Sequence, residues 1–511
     1  MEKGLKTAQR ALCAMALCAV YLLFAALAAC DLFLTANLTT TAQMSETVTL
    51  VRDALLPGLL LTLAMLAALA LFHGALIRFA RVRLTGALAA LWLAGALVLA
   101  FGVQMRQMYD FAAVIEGAEL FAQGNYKAMA VDYFNASSYQ LGFCLPMEFI
   151  KRVFPAIDLN LFMQAVNAVC SVAAAGALAA LCELLAGRRA RFAACALYLT
   201  CLPALFYCAF VYATLPMALL CSCAFLCFAL YLRGRRAGFA LAGGACVAVA
   251  AMLKPNAYIP IAALVICALV DFLTSRDWRL LLIMALTAAL AALLARAAIW
   301  QYELRSGTAL IEDISMLARL TMGLQRDGAQ AGWYNRYIEQ FYPLDVTRAQ
   351  ELAVARADLQ ARLAELAQDP AMLGAFLRDK ALTQWIEPTF GTLWYGHLSG
   401  QAGPLAGAAE AIYAQGGALR AAIEGYMDVW QQAVYLLAAI GTAVTLRRRG
   451  GAQELILPVT IIGGFLYHMI FEAKAQYIFV YALYLIPLAA QGLCALEDAA
   501  RRAWRGVKGG K

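Results

Sequence analysis

Twelve apolar runs, each close to the length of a bilayer crossing, constrain this chain more than any other feature. A membrane span takes about 20 predominantly apolar residues. The runs fall at approximately 11–29, 54–77, 84–103, 160–186, 192–211, 214–232, 238–253, 257–274, 280–299, 429–446, 454–470 and 476–495. The fifth and sixth can form a tight hairpin around Tyr212–Pro216, and the seventh is short. With 64% of its residues hydrophobic and 14% charged, the chain has too much apolar side chain for a soluble core to hide. The expectation is an all-α polytopic membrane protein with about 12 transmembrane helices.

The basic residues give this array a direction. Lys3, Lys6 and Arg10 precede the first run. Every second connection is then basic: Arg78/Arg81/Arg83, Arg188/Arg189/Arg191, Arg233/Arg235/Arg236, Arg276/Arg279 and Arg447/Arg448/Arg449. The tail carries Arg501, Arg502, Arg505, Lys508 and Lys511. Short basic connections stay on the cytoplasmic side, so both termini are expected inside a cell (plasma) membrane. The formal charge of +8 is spread over these connections and calls for no nucleic acid. Leu27–Ala28–Ala29–Cys30 also has the form of a lipoprotein cleavage site, although a retained signal anchor is the plainer reading. Of the fifteen cysteines, only Cys30 and Cys144 fall clearly outside apolar runs, which argues against a disulfide framework or a zinc site.

This orientation divides the chain into a transmembrane hairpin (1–83), a core (84–299) with a first long outer loop (104–158), an outer-face segment (300–428) and C-terminal helices with a basic tail (429–511). Apolar residues recur at helical spacing over Asp345–Leu377, which predicts a mostly helical outer domain, and Gly-rich Gly391–Gly417 reads as a loop. The outer side also holds the loop 30–53 and the turns Tyr212–Pro216, Lys254–Asn256 and Phe471–Gln476.

Polar groups able to carry chemistry gather on that side. Asp110 follows Tyr109 at the mouth of the third span, ahead of a short helix expected over Phe111–Phe121 that carries Glu116 and Glu119. A carboxylate there can take a proton from an acceptor hydroxyl or amine; the plainer reading is a helix cap or a solvated acid. Lys254–Pro255–Asn256 interrupts an apolar run, where a lysine is costly unless an anion or water meets it, or unless it snorkels. Glu472–Ala473–Lys474–Ala475–Gln476–Tyr477, just after His468, is a second charged break, readable also as an ordinary turn. Trp385–Ile386–Glu387–Pro388–Thr389 and Trp394–Tyr395 suit an interfacial aromatic belt. There is no Walker-type phosphate loop, no serine elbow and no His-x-x-x-His among the three histidines.

Taken in order, several stretches carry a resemblance. They are Tyr109–Asp110, Gly124–Asn125–Tyr126, Tyr139–Gln140–Leu141–Gly142, Val211–Tyr212, Leu253–Lys254–Pro255–Asn256, Met322–Gly323–Leu324, Gly332–Trp333–Tyr334–Asn335, Glu387–Pro388–Thr389 and Phe471–Glu472–Ala473–Lys474 with Tyr477. Over about residues 84 to 495 the chain resembles the GT-C superfamily of membrane glycosyltransferases, in a branch similar to bacterial protein O-mannosyltransferases and the lipid A aminoarabinose transferase. The resemblance implies a polyprenyl-phosphate sugar donor, transfer on the outer face to a lipid, glycan or protein acceptor, and an acid of the first long outer loop as base. Carried over, that base is Asp110, with Lys254 and Lys474 on the donor phosphate. Tyr109, Tyr139, Gln140, Tyr212, Asn256, Glu387, His468, Glu472 and Tyr477 are then candidates to line the substrate, and Glu116, Asp132, Glu312 and Asp313 are the next acids to test as base. No cofactor is specified, and a divalent metal is left open. Two positions depart from the pattern: Phe111 stands where many relatives carry a second acid, and Gln476 where a basic residue is expected before Tyr477. The two spans before Leu84 are additional to the shared core. The rival functions are a lipid or glycolipid transporter or flippase, and a non-catalytic GT-C relative. Transporters place ionisable groups near the bilayer midplane, whereas the polar residues here cluster at outer ends.

Overall fold

The structure is a computed structural model that describes residues 2–40, 46–79, 82–126, 132–307, 309–310, 313–327, 330–342, 346–448 and 451–509. Arg81, Glu312, Asp345, Arg449 and Lys511 lie outside them, as do the side chains of Arg83, Asp132 and Lys508.

The protein is an all-α polytopic membrane protein. All twelve apolar runs are helical, but they do not all form single long helices. Among the described residues ten helices are long and apolar enough to cross a bilayer, including Leu55–Arg78, Leu159–Ala186, Trp278–Ser306 and Ala418–Arg447. The fifth run instead breaks into Arg188–Leu199 and Leu202–Ala209, bent by 63°. Pro203 accounts for the break, because proline lacks the N–H that would continue the helical ladder and is instead accommodated in the first turn of a new helix that starts after Cys201. The seventh run, Ala237–Leu253, has 17 residues. The count is therefore ten spans, or eleven if the bent pair crosses as one, against the twelve expected.

The ends of the helices follow from local sequence. Asp158 accepts from Leu161 N and starts the helix Leu159–Ala186; Asp277 does the same through Arg279 N for Trp278–Ser306. In the outer segment Thr347 and Gln350 form a capping box ahead of Arg348–Gln368, and Asp369 with Pro370 opens Pro370–Trp385. The amphipathic pattern over 345–377 is thus realised as two successive helices. The Gly-rich stretch is more ordered than a loop, since Thr392–Leu398 and Ala406–Tyr413 are short helices within it.

Inside the bundle, helix Ala418–Arg447 packs most extensively on Ala475–Gly509. The approach is backbone to backbone. A Cβ on Gly441 would lie 1.9 Å from the Leu488 carbonyl oxygen, and one on Gly492 would lie 1.9 Å from that of Leu437. Small residues at helix crossings let dispersion contacts replace the hydrophobic drive that lipid removes. Trp385 and Trp394 are 0% and 4% exposed and belong to this core, with Trp385 among Phe24, Phe465 and Tyr481. They do not form an interfacial belt.

The segment 30–53, expected as a loop, contains an unexpected hairpin. Strands Leu34–Thr40 and Glu46–Arg52 pair antiparallel, with Leu34 opposite Arg52 and Thr40 opposite Glu46. Ala36 and Leu38 on one strand and Val48 on the other are buried, as alternation along a strand requires. Ala36 N donates to the Ile386 carbonyl at 3.1 Å. The Gln330 amide donates to the Glu46 carbonyl at 3.0 Å. The N-terminal hairpin is therefore fastened to the outer segment.

Candidate functional site

The helix Tyr109–Ala122 begins two turns beyond the third apolar helix, and Asp110 sits in its first turn. It is not the cap, since Met108 holds that position without a side-chain bond. A polar net holds the approach in place. The Asn160 and Gln164 amides both donate to the Met105 carbonyl at 2.9 Å. The Gln107 amide donates to Asn160 Oδ1 at 3.0 Å and to the Ala209 carbonyl at 2.9 Å, and its oxygen accepts from Val211 N at 3.1 Å. Gln107 thereby ties the segment before Asp110 to the segment before Tyr212.

That tie brings Tyr212 to Asp110. The Tyr212 hydroxyl donates to Asp110 Oδ2 at 3.4 Å and itself accepts from the Gln140 amide. Both members of the pair adjoin a residue in the left-handed region, Tyr109 at φ 50° and Ala213 at φ 51°. Such backbone costs on the order of 1–3 kcal/mol per residue and persists where the surroundings impose it, commonly at functional sites. Asp110 keeps exposed surface although protein crowds it on most sides, which places it in the wall of a concavity. Burial pushes its carboxyl above the ordinary value, while Lys474, the Tyr212 hydroxyl, Lys254 and Arg319 pull the other way.

Three cations from separate parts of the chain therefore act on one carboxylate. Lys254, 8% exposed, lies between two apolar helices. Its ammonium donates to Thr214 Oγ1 at 2.8 Å and stands 4.5 Å from the centre of the Tyr212 ring. Burial pushes it down to about 7, opposed by Asp110. Lys474 lies between the last two apolar helices and pairs with Glu46 of the hairpin at 3.0 Å. Burial alone would lower its ammonium, but Glu46 and its neighbours hold it well above the ordinary value. Arg319 stands on the outer helix Met316–Leu324, 5.7 Å from the centre of the Tyr139 ring. Glu472 joins them, accepting from the Tyr477 hydroxyl at 3.3 Å, with its carboxyl pushed up to about 7 by burial against the pull of Lys474.

The other sequence candidates divide. Tyr139 and Gln140 belong to the group through Arg319 and Tyr212. Tyr109 is exposed and stacks on Trp394 with ring centres 6.4 Å apart. Asn256 is half-buried in the turn after Lys254. His468 is 1% exposed, stacked on Tyr477 at 5.4 Å, with Nδ1 3.3 Å from the Glu472 carbonyl, so it supports the Glu472 turn from beneath. Glu387 stands apart. Its carboxylate accepts from Thr389 Oγ1 at 2.5 Å, Thr389 N at 3.2 Å and Gly391 N at 2.7 Å, which fixes its own bend. Asp313 accepts from Ser138 N at 2.6 Å. Among the described residues no three His, Cys, Asp or Glu side chains are grouped to hold a metal ion.

Sequence reading overlooked Arg319, Glu46 and Gln107. The alternation Glu46–Thr47–Val48–Thr49–Leu50–Val51 is a strand pattern that reveals the hairpin. Gln107 could have been flagged by its position between a span and Asp110. Arg319 has no comparable signal.

Apolar helices that cross a membrane many times, with a polar group gathered where their connections meet, define a multi-pass integral membrane protein. A family model described as "Conserved hypothetical integral membrane protein" matches residues 6–492, and the chain belongs to that family. No curated protein matches it.

Proposed function

We propose that this protein transfers a sugar from a polyprenyl-phosphate donor to an acceptor on the outer face of the membrane, as a GT-C-like glycosyltransferase. One observation carries the reading: the accessible Asp110 carboxylate, bonded by Tyr212, lies within electrostatic reach of Lys254, Lys474 and Arg319. A base beside a cationic pocket is what glycosyl transfer from a lipid phosphate needs. The acceptor O–H or N–H gives its proton to Asp110, and the acceptor atom bonds to the anomeric carbon. The bond from that carbon to the phosphate oxygen breaks, and the polyprenyl phosphate leaves with its charge met by Lys254 and Lys474. Tyr212 orients the carboxylate. The cationic surroundings favour the ionised form of Asp110 and oppose the upward push of its burial.

Donor affinity provides a test through Lys254, which faces Asp110, Tyr212 and Thr214. Its ammonium titrates at about 7 in the free protein. The sign follows from the lowered value: the charged form that pairs with phosphate is present below about 7 and is lost above it. A phosphodiester donor does not titrate in that window. Binding of a labelled prenyl-phosphate sugar should weaken as pH rises, approaching tenfold per unit above about pH 7. In Lys254→Met the affinity should be low and its pH dependence reduced to the part that comes from Glu472, whose carboxyl is also pushed up to about 7. A wild-type affinity independent of pH would remove Lys254 from the donor site.

The same reading places both termini in the cytoplasm and the segment 300–428 outside. The bent pair and Ala237–Leu253 then both cross, because the alternation of basic connections fails without them. At 1.5 Å per residue the latter spans about 25 Å, enough for a thin crossing. Ala357→Cys, exposed on the helix Arg348–Gln368, should react in whole cells with a membrane-impermeant thiol reagent above the background of the parent's own cysteines. Reaction only after the membrane is breached would reverse the orientation.

A further inference from the structure

Among the described residues, Arg319 sits in the candidate site with no acid within ion-pair distance. Its Nη2 donates to the Ala136 carbonyl at 2.9 Å and its Nε to the Ile314 carbonyl at 3.4 Å. Among the described residues it makes no ion pair. A guanidinium has five N–H donors in a fixed fork, so most of this one is uncommitted. Aromatic rings surround it, with Tyr139 beneath its plane and Tyr342 and Tyr467 nearby. The carboxylates that act on it, Asp313, Glu472 and Asp110, do so from beyond ion-pair distance. A half-buried guanidinium held by two carbonyls loses hydration without gaining a counter-charge, which is costly unless a ligand supplies one.

The position of the charge separates it from the lysines. Lys254 and Lys474 stand in turns between apolar helices. Arg319 is carried by a helix of the outer segment, which is braced from above by Glu351 accepting from Ser315 N at 2.7 Å.

We propose that Arg319 is a second anion-binding position in this site, distinct from the donor phosphate, and that the acceptor is an acidic molecule whose phosphate or carboxylate it grips. This rests on the glycosyl-transfer reading. Planar, forked recognition of an oxyanion is the task that distinguishes arginine from lysine. An anion held there also brings the acceptor's nucleophilic atom within reach of Asp110 and fixes which of several hydroxyls reacts.

The test uses purified full-length protein, with farnesyl phosphate as the donor-phosphate probe and glycerol 3-phosphate as the second-anion probe, followed by calorimetry. Wild type saturated with farnesyl phosphate should still bind glycerol 3-phosphate. Arg319→Gln should weaken that second binding tenfold or more and leave farnesyl phosphate affinity within twofold. Arg319→Lys should recover part of the loss, and both variants should keep the wild-type melting temperature within a few degrees. Lys254→Met should show the opposite pattern. If the two probes exclude each other, or if Arg319→Gln weakens farnesyl phosphate as much as glycerol 3-phosphate, there is one anion position and the inference falls. Failure of wild type to bind farnesyl phosphate, with glycerol 3-phosphate still bound through Arg319, would instead overturn the polyprenyl-phosphate reading and leave the anion site standing.

Discussion

Asp110→Asn should transfer sugar about 10²- to 10⁴-fold more slowly than wild type while still folding and binding donor, the loss expected when a general base is removed. The substitution preserves shape and the bond from Tyr212, since the amide oxygen can still accept. It removes only the oxygen that takes the proton. Asp110 does not cap its helix, so the change breaks no backbone contact there. The stability effect should be small, because the lost attraction to Lys254, Lys474 and Arg319 is offset by relief of the carboxylate's desolvation. The measurement is transfer from a labelled polyprenyl-phosphate sugar by purified protein, with donor binding measured on the same samples. Rates within twofold of wild type would exclude Asp110 as base. Asp313 would not be an easy substitute, because it is engaged with Ser138 N. A loss of donor binding equal to the loss of rate would make Asp110 a binding group only.

The second large effect is expected far from the chemistry. Gly441→Val would place carbon atoms where the Leu488 carbonyl and the Gly492 backbone already are. The neighbours are main chain, so no side chain can swing aside, and the two helices would have to separate. Overpacking typically costs about 1–3 kcal/mol and more when backbone must move. Both helices carry site-forming segments at their outer ends, Lys474 and Tyr477 beside one and the hairpin contacts beside the other. Gly441→Val should therefore lower the midpoint of thermal unfolding and the yield of monodisperse protein in detergent. Gly425→Val on the same helix meets nothing within 4 Å and should be close to neutral. Equal melting of the two variants would mean that the helices do not approach this closely.

Membrane helices were legible because their signal is long and repetitive, and Asp110 because it follows one of them directly. The rest depended on contacts that no local pattern records. Glu387 was a candidate through the stretch Glu387–Pro388–Thr389, and an acid that ties its own bend, as this one does, has the same local sequence as one that does not. Trp385 and Trp394 suited a belt by composition, and only packing shows that they are inside. Arg319 is one arginine in a short amphipathic stretch; its importance comes from Tyr139 and Asp110, which are about 180 and about 210 residues away in sequence. The hairpin's alternation was present, but it was short and lay between two far stronger apolar signals. Lys254 and Lys474 were expected to converge, and both act on Asp110; the partner that Lys474 has already taken was invisible.

That partner changes how a ligand must enter. With Glu46 on Lys474, the proposed donor site would carry an internal surrogate for the phosphate. An arriving phosphate competes with a tethered carboxylate at high local concentration, so apparent affinity falls below intrinsic affinity by the fraction of time the lysine is unpaired. The hairpin thus sets an entry threshold: a weak or partial anion does not displace Glu46, whereas one that also engages Lys254 gains enough to do so. The hairpin that looks peripheral along the chain would then act as a filter on what the site admits.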